Sequence, residues 1–337
     1  MSSPPADPAV RRLSSARAAM RAAKLDALLV THVPNIRYLT GFSGSAGAVV
    51  LTEARCALVV DFRYGTAARA LLAAGAAGTV ELHEIDGPYD DAIAALLGRE
   101  GMAVVGVEAQ WLPVSRYNRL VSLLGGITPR PTPLVPTERL IERGRLIKDA
   151  AEISTLREAA ARLSRVAHRL RDWAVPGRTE QEVAADIDAA MRRHGFERPA
   201  FETIVASGPR GALPHARPEG RVLAQGDGVV LDFGGVYDGY CVDLTRTLEL
   251  GAWSPEFRHM FDAVAEAQAA AIAAVRPGVR ASAIDGAARA VLERRGLGEA
   301  FGHGTGHGLG LEVHEEPRVA RPSPGIPDPD EIGRAHV

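Results

Sequence analysis

The 337 residues carry a net charge of −2, with 46% hydrophobic and 24% charged side chains. That balance is ordinary for a soluble globular chain of about two domains, gives nucleic acid no bulk electrostatic attraction, and leaves no run near the ~18 apolar residues of a membrane span. The two cysteines, Cys56 and Cys241, lie far apart without ligand spacing, which excludes a disulfide scaffold and fits a reducing cytoplasm. The first eight residues lack a basic stretch followed by an apolar run, so no signal peptide is expected.

Residues 9–30 read as an amphipathic helix running into an apolar strand, and residues 34–42 as a turn-rich connection. Ala48–Thr52 and Cys56–Asp61 are two short apolar runs across a polar turn, a hairpin pattern. Residues 67–74 are rich in alanine and leucine and favour helix, and residues 102–107 form a further buried strand. Helix and strand alternate, so the first part is expected to be α/β. Pro129, Pro131, Pro133 and Pro136 punctuate the chain and suggest a linker nearby. Beyond them, residues 148–173 read as one long charged helix closed by Pro176-Gly177. Thr179 with Glu182 is a capping box for a helix running to Arg193. Strand-like stretches follow at 201–206, 228–233 and 241–250, then a helix pair near 255–275 and 281–295, and last a glycine–histidine segment over 301–314.

Asp232 interrupts an apolar run, Val229-Val-Leu-Asp-Phe-Gly-Gly235, and a carboxylate there is costly unless it is paired or holds a metal. Asp238-Gly239 is a hairpin turn signal; a two-residue turn makes Tyr237 face Tyr240 and Asp243 face Gly234. Asp232 and Asp243 then share one face as diagonal neighbours, their Cα atoms about 7–8 Å apart, from where the side chains can converge on a shared metal pair. Pairing with Arg246 or with loop backbone is the competing reading for either aspartate.

In Gly302-His-Gly-Thr-Gly-His-Gly-Leu-Gly310 glycine takes every even position. A helix there would cost ~1 kcal/mol per glycine against alanine. In an extended chain His303, Thr305 and His307 project one way, and the bare glycine face admits another backbone. A phosphate-binding glycine loop competes, but the segment lacks the Lys-Ser/Thr ending and the strand–loop–helix setting. His314 follows, before Glu315-Glu-Pro317, while His215 by itself reads as a solvent-facing loop histidine. Oxygen-rich ligands plus one imidazole favour manganese, iron, cobalt or zinc over copper or a thiolate site. Two carboxylates on one face suggest two metals that clamp both sides of a hydrolysis. The residues thus point to a metal-assisted hydrolase without naming a substrate.

Leu231-Asp-Phe-Gly-Gly235, Tyr237-Asp-Gly-Tyr240, Asp243-Leu-Thr-Arg-Thr247 and Gly306-His-Gly-Leu-Gly310 with Val313-His-Glu-Glu-Pro317 resemble the pita-bread metallopeptidases. That family includes aminopeptidase P, prolidase, methionine aminopeptidase and the non-peptidase creatinase. Leu25-Asp-Ala-Leu-Leu-Val30 and Asn35-Ile-Arg-Tyr-Leu-Thr-Gly-Phe42 are similar to the creatinase-type N-terminal domain, which typical methionine aminopeptidases lack. The likeness covers residues 9–330. It implies a creatinase-like α/β domain over 9–140, then a pita-bread α+β catalytic domain over 141–330.

The resemblance further implies that Asp232 binds one metal, Asp243 bridges both and His307 completes the first. His215, His303 and His314 match substrate-binding and proton-handling histidines, the last two steadying the scissile carbonyl and the tetrahedral intermediate. The implied cofactor is two divalent ions, Mn2+ first and Co2+, Zn2+ or Fe2+ after it. The implied reaction is release of the residue before proline through a metal-bound hydroxide, with aminopeptidase P preferred over prolidase. An Xaa-Pro bond lacks an N–H and has a rigid ring, so peptidases that rely on that N–H handle it poorly. The implied partners are a proline-containing peptide and a second copy in a homodimer at full length, with neither nucleic acid nor membrane. A catalytically inactive binding module and a metal-free creatinase-like amidinohydrolase are the readings of other classes. The intact Asp232, Asp243 and His307 count against both.

The chain departs from the family at its end. Beyond His-Glu-x-Pro the family carries a Thr-Val-Glu-Pro-Gly-like motif and a later strand glutamate, which complete the metal pair and supply the proposed base. Here Pro322-Ser-Pro-Gly-Ile-Pro-Asp-Pro-Asp330 runs toward that motif and stops, and residues 331–337 (EIGRAHV) read as a non-native tail. Glu315, Glu316 and Glu331 do not match the motif's context. The chain as written is therefore expected to be inactive until its natural continuation supplies both glutamates.

Overall fold

The computed structural model describes residues 8–75, 80–99, 102–127 and 132–322. The proposed tail and most of the proline-rich run toward the expected motif lie outside these. Two compact units divide at Arg145 and Leu146.

The first unit contains α1 (Pro8–Ala22), β1 (Ala27–Val30), α2 (Val33–Thr40), β2 (Ala48–Thr52), β3 (Cys56–Asp61), α3 (Phe62–Ala73), β4 (Val80–Ile85), α4 (Tyr89–Arg99), β5 (Val105–Glu108), α5 (Val114–Ile127), β6 (Leu134–Thr137) and α6 (Glu142–Arg145). Its six-stranded sheet runs β4-β3-β2-β1-β5-β6. β1, β2 and β3 pair antiparallel, and β4, β5 and β6 join in parallel. Every residue of β1, β2, β3 and β5 is buried, which explains why these strands read as unbroken apolar runs rather than alternating ones. One sequence signal meant something else. Pro34, read as part of a turn, sits in the first turn of α2, where its missing N–H costs nothing, and Gly41 at φ +75° ends that helix. Pro129 and Pro131 lie outside the described residues, Pro133 precedes β6, an edge strand that tolerates Pro136, and the division between the units follows shortly after, where the cluster suggested a linker.

The second unit contains α7 (Ala150–Ala167), α8 (Leu170–Trp173), α9 (Glu180–Arg193), β7 (Arg198–Pro199), β8 (Ile204–Ser207), a 3-10 turn (Gly208–Ala212), β9 (Gly228–Tyr237), β10 (Tyr240–Glu249), α10 (Pro255–Ala274), α11 (Ala281–Arg294), β11 (Gly306–Gly308) and β12 (Glu315–Val319). β9 is the spine of its sheet, pairing with β10 on one edge and with β7 and β8 on the other. α7 and α9 pack on this sheet, closing a core that includes Leu163, Val183, Ile187, Leu231 and Phe233. The long helix expected over 148–173 is two: Asp149 caps α7 through a box with Glu152, and the chain turns at His168–Arg169 before α8. Thr179 and Glu182 form the expected box at α9. α10 and α11 meet through alanines, Ala263, Ala267 and Ala271 against Ala281 and Ala288, whose small side chains let the helices approach closely. β11 and β12 form a separate antiparallel pair.

Candidate functional site

The hairpin places the carboxylates. Asp238 (φ +46°) and Gly239 (φ +72°) form a two-residue turn with both residues left-handed, as a type I′ turn demands. Tyr237 therefore faces Tyr240, Asp243 faces Gly234 and Asp232 faces Thr245, so Asp232 and Asp243 point from one face of β9–β10. Arg246 does not serve as their counter-ion: its guanidinium donates to the Thr245 carbonyl at 2.7 Å. Asp232 instead accepts the Thr245 hydroxyl at 2.7 Å. The Asp243 carboxyl is pushed up to about 6, first by burial, then by the neighbouring Asp232, while the His307 ring and the Leu244 N–H pull the other way.

His307, on β11, completes this cluster. Its Nε2 lies 3.6 Å from Asp243 Oδ2. Its Nδ1 lies 3.0 Å from the Gly308 carbonyl, which makes Nδ1 a donor and leaves Nε2 turned toward Asp243. Two neighbouring carboxylates with an imidazole beside one of them have the chemistry that suits a divalent cation, which would relieve the repulsion that helps raise Asp243. These three residues are the ones that would hold it. Among the described residues no three His, Cys, Asp or Glu side chains are drawn together to ligand distance.

Two further histidines gather here. The His314 ring meets His307 edge to face at 4.3 Å. Its pKa is depressed, first by burial, then by repulsion from His307, Arg318 and His215, so His215 also lies within electrostatic reach. His303 is placed differently from expectation. Only Gly306–Gly308 of the glycine segment is strand. His303 lies before it, with Nδ1 2.8 Å from the Gly304 carbonyl and its ring edge-on to Phe301 at 4.9 Å. The extended run fails at 302–305 because groups on α11 seize its backbone. Asp285 accepts from the Thr305 N–H at 3.0 Å and from its hydroxyl at 2.7 Å, while Arg289 donates to the carbonyls of Phe301 and His303. The bare glycine face admits another backbone at Gly304 and Gly308 but not at Gly306: a Cβ on Gly304 would lie 2.9 Å from the Val319 carbonyl oxygen and one on Gly308 2.3 Å from that of Glu316, while one on Gly306 would meet nothing within 4 Å.

The other histidine-bearing segments are also tied to buried acids that the sequence reading passed over. Glu180, wholly buried, accepts from Ser207 N–H and hydroxyl at 2.8 and 2.7 Å and from Arg210 Nε and Glu219 N–H, both at 3.1 Å. It thereby brackets the loop that carries His215. Glu315, beside His314, takes Lys148 Nζ at 3.0 Å. The signal available for Asp285 and Arg289 was their i,i+4 spacing in phase with Ala281, Ile284, Ala288 and Leu292, which puts two charges on an apolar helix face.

The sequence profile described as metallopeptidase family M24 matches residues 154–333, and the creatinase/prolidase N-terminal domain matches residues 12–147. The chain belongs to the M24 metallopeptidases. It is 40% identical over 316 residues to the probable dipeptidase PepE of Mycobacterium tuberculosis, covering 92% of this chain and 82% of that one. Its fold matches the Xaa-Pro dipeptidase from Bacillus anthracis with a TM-score of 0.87 at 34% identity, over 94% of this chain and 86% of the other. The X-Pro aminopeptidase from Thermotoga maritima matches with a TM-score of 0.81 at 30% identity, over 95% and 88%. The expected architecture is therefore present: a creatinase-type α/β domain followed by the pita-bread domain of an M24 peptidase, a hydrolase.

Proposed function

We propose that this M24 peptidase hydrolyses the bond between an N-terminal residue and proline, with Asp232, Asp243 and His307 holding divalent metal. The observation that carries the reading is the placement of Asp232 and Asp243 on one face of the β9–β10 hairpin, with His307 Nε2 3.6 Å from Asp243. Asp243, next to both Asp232 and His307, would be shared between the ions they hold. Bound divalent ions supply an activated water and polarise the scissile carbonyl. Around them the chain's own groups orient the peptide. His314, whose neutral form is favoured first by burial and also by the Arg318 guanidinium, can donate one ring N–H to the carbonyl oxygen and accept at the other nitrogen. His215 and His303 contact substrate from the two flanking loops. Mn2+ is the metal we expect, in a homodimer working in the cytoplasm. Among the described residues no helix is long and apolar enough to cross a membrane.

Two forms of the activity are distinguished by peptide length. The names of the Bacillus anthracis and Mycobacterium tuberculosis relatives favour a dipeptidase. The Thermotoga maritima neighbour favours the aminopeptidase P-like form preferred from sequence. A panel of Xaa-Pro and Xaa-Pro-Xaa peptides assayed with the purified protein separates them. Cleavage of Xaa-Pro alone gives the dipeptidase, cleavage of the longer peptides gives the aminopeptidase, and cleavage of neither refutes the reading.

A further inference from the structure

We propose that Asp285 and Arg289 are positioning residues: their ion pair on α11 fixes residues 301–305 and through them sets where His303 and His307 present their rings. This rests on the function proposed above, which gives those two rings their work.

Asp285 is wholly buried and Arg289 is 8% exposed. Arg289 Nε donates to Asp285 Oδ2 at 2.6 Å, one turn apart on the helix. The other carboxylate oxygen takes both the N–H and the hydroxyl of Thr305. The remaining arms of the guanidinium donate to the carbonyls of Phe301, at 2.8 Å, and His303. Its plane also lies over the Phe301 ring, 4.5 Å from the centroid, and that ring in turn meets His303. The pair thus grips the segment at 301, 303 and 305. Between those points stand Gly302 and Gly304, the residue type with the most backbone freedom to lose. A segment so free does not hold a histidine by itself, and His307 follows Thr305 by two residues. Replacing a buried ion pair with apolar groups is often neutral for stability, so stability alone is a weak account of this one. Among the described residues, the side-chain hydrogen bonds the pair makes outside itself go to the histidine segment.

The test compares Asp285→Asn, Thr305→Val and Thr305→Ser in the complete protein. Asn breaks the charge pairing, Val removes the hydroxyl at nearly constant shape, and Ser restores it. In metal-free protein, ring 1H–13C signals of His303 and His307 are assigned from His303→Gln and His307→Gln. We expect them to broaden or split in Asp285→Asn and Thr305→Val and to stay single in Thr305→Ser, while His194 keeps its wild-type signal in all three. With metal and an Xaa-Pro dipeptide, kcat should fall by about 10²-fold in Asp285→Asn, the scale set by an ångström of misplacement, with KM little changed, and Thr305→Ser should match wild type. Single sharp ring signals in both disruptive variants, with or without a lower Tm, would overturn the proposal, as would wild-type kcat alongside disturbed rings. Disturbed rings in a protein whose wild type cleaves no Xaa-Pro peptide would support the positioning and refute the function.

Discussion

Asp243 stands between the Asp232 carboxylate and the His307 ring, and its crowding shows in a carboxyl raised to about 6. A residue so placed should matter to the metal more than a residue that only meets substrate. Asp243→Ala is expected to leave the protein unable to retain divalent metal after dialysis. His303→Ala is expected to keep wild-type metal content while losing 10²–10³-fold in kcat, the scale of one lost transition-state hydrogen bond of ~2.7–4 kcal/mol. Metal analysis beside kinetics checks both, and equal metal content with equal activity loss would contradict these roles. The aspartates were legible in the sequence because a two-residue Asp-Gly turn leaves no freedom of register along the hairpin. The setting of His303 was not, because it depends on a carboxylate and a guanidinium that stand on a helix well before it in the chain.

At the scale of elements, the buried Lys148–Glu315 pair joins the start of α7 to β12, both side chains under one-tenth exposed. Gly310 packs directly on it: a Cβ there would lie 2.4 Å from the Glu315 carboxylate. Lys148→Ala should cost about 3–5 kcal/mol, since it leaves a carboxylate buried without its cation, whereas Lys148→Met with Glu315→Gln should cost far less. Urea unfolding of both variants decides this. A second pair, Arg221–Asp227 at 2.6 Å, ties the loop before β9. Burial alone would raise the Asp227 carboxyl, but bonds from Arg221 and the Ala224 N–H outweigh it and hold it below the ordinary range. Its ionised form is thus favoured in the folded state. That contribution is complete above the unfolded carboxylate value of about 3.9 and fades as pH falls through the folded value. The stability difference between wild type and Asp227→Asn should accordingly be widest near neutrality and shrink on acidification. A difference that grows toward low pH would reverse the sign assigned here. Capping boxes at α9 and the I′ turn were readable because each is a local rule. The break between α7 and α8 and the helix α2 were not, since burial of Ile36, Tyr38 and Leu39 overrides the turn signals around Pro34.

For the whole molecule, the fold was readable mainly because two bodies of motif survive together, Asn35 to Phe42 in the first unit and the aspartate–histidine set in the second. Alternation of helix and strand gave the class of the first unit, but the order of its sheet follows from crossovers that periodicity does not encode. The site was readable in its proposed ligands and unreadable in its supports: Glu180, Asp285 and Glu315 are buried acids that each take a partner 20 to 167 residues away in sequence. The account's central claim is that the converging carboxylates and imidazole make a metal-dependent Xaa-Pro peptidase. The most direct measurement is the rate of Xaa-Pro dipeptide cleavage by the purified protein, first stripped with chelator and then titrated with Mn2+. The account predicts no turnover in the stripped protein and recovery that saturates with added Mn2+ and is absent in Asp243→Ala; full activity in the stripped protein would contradict it.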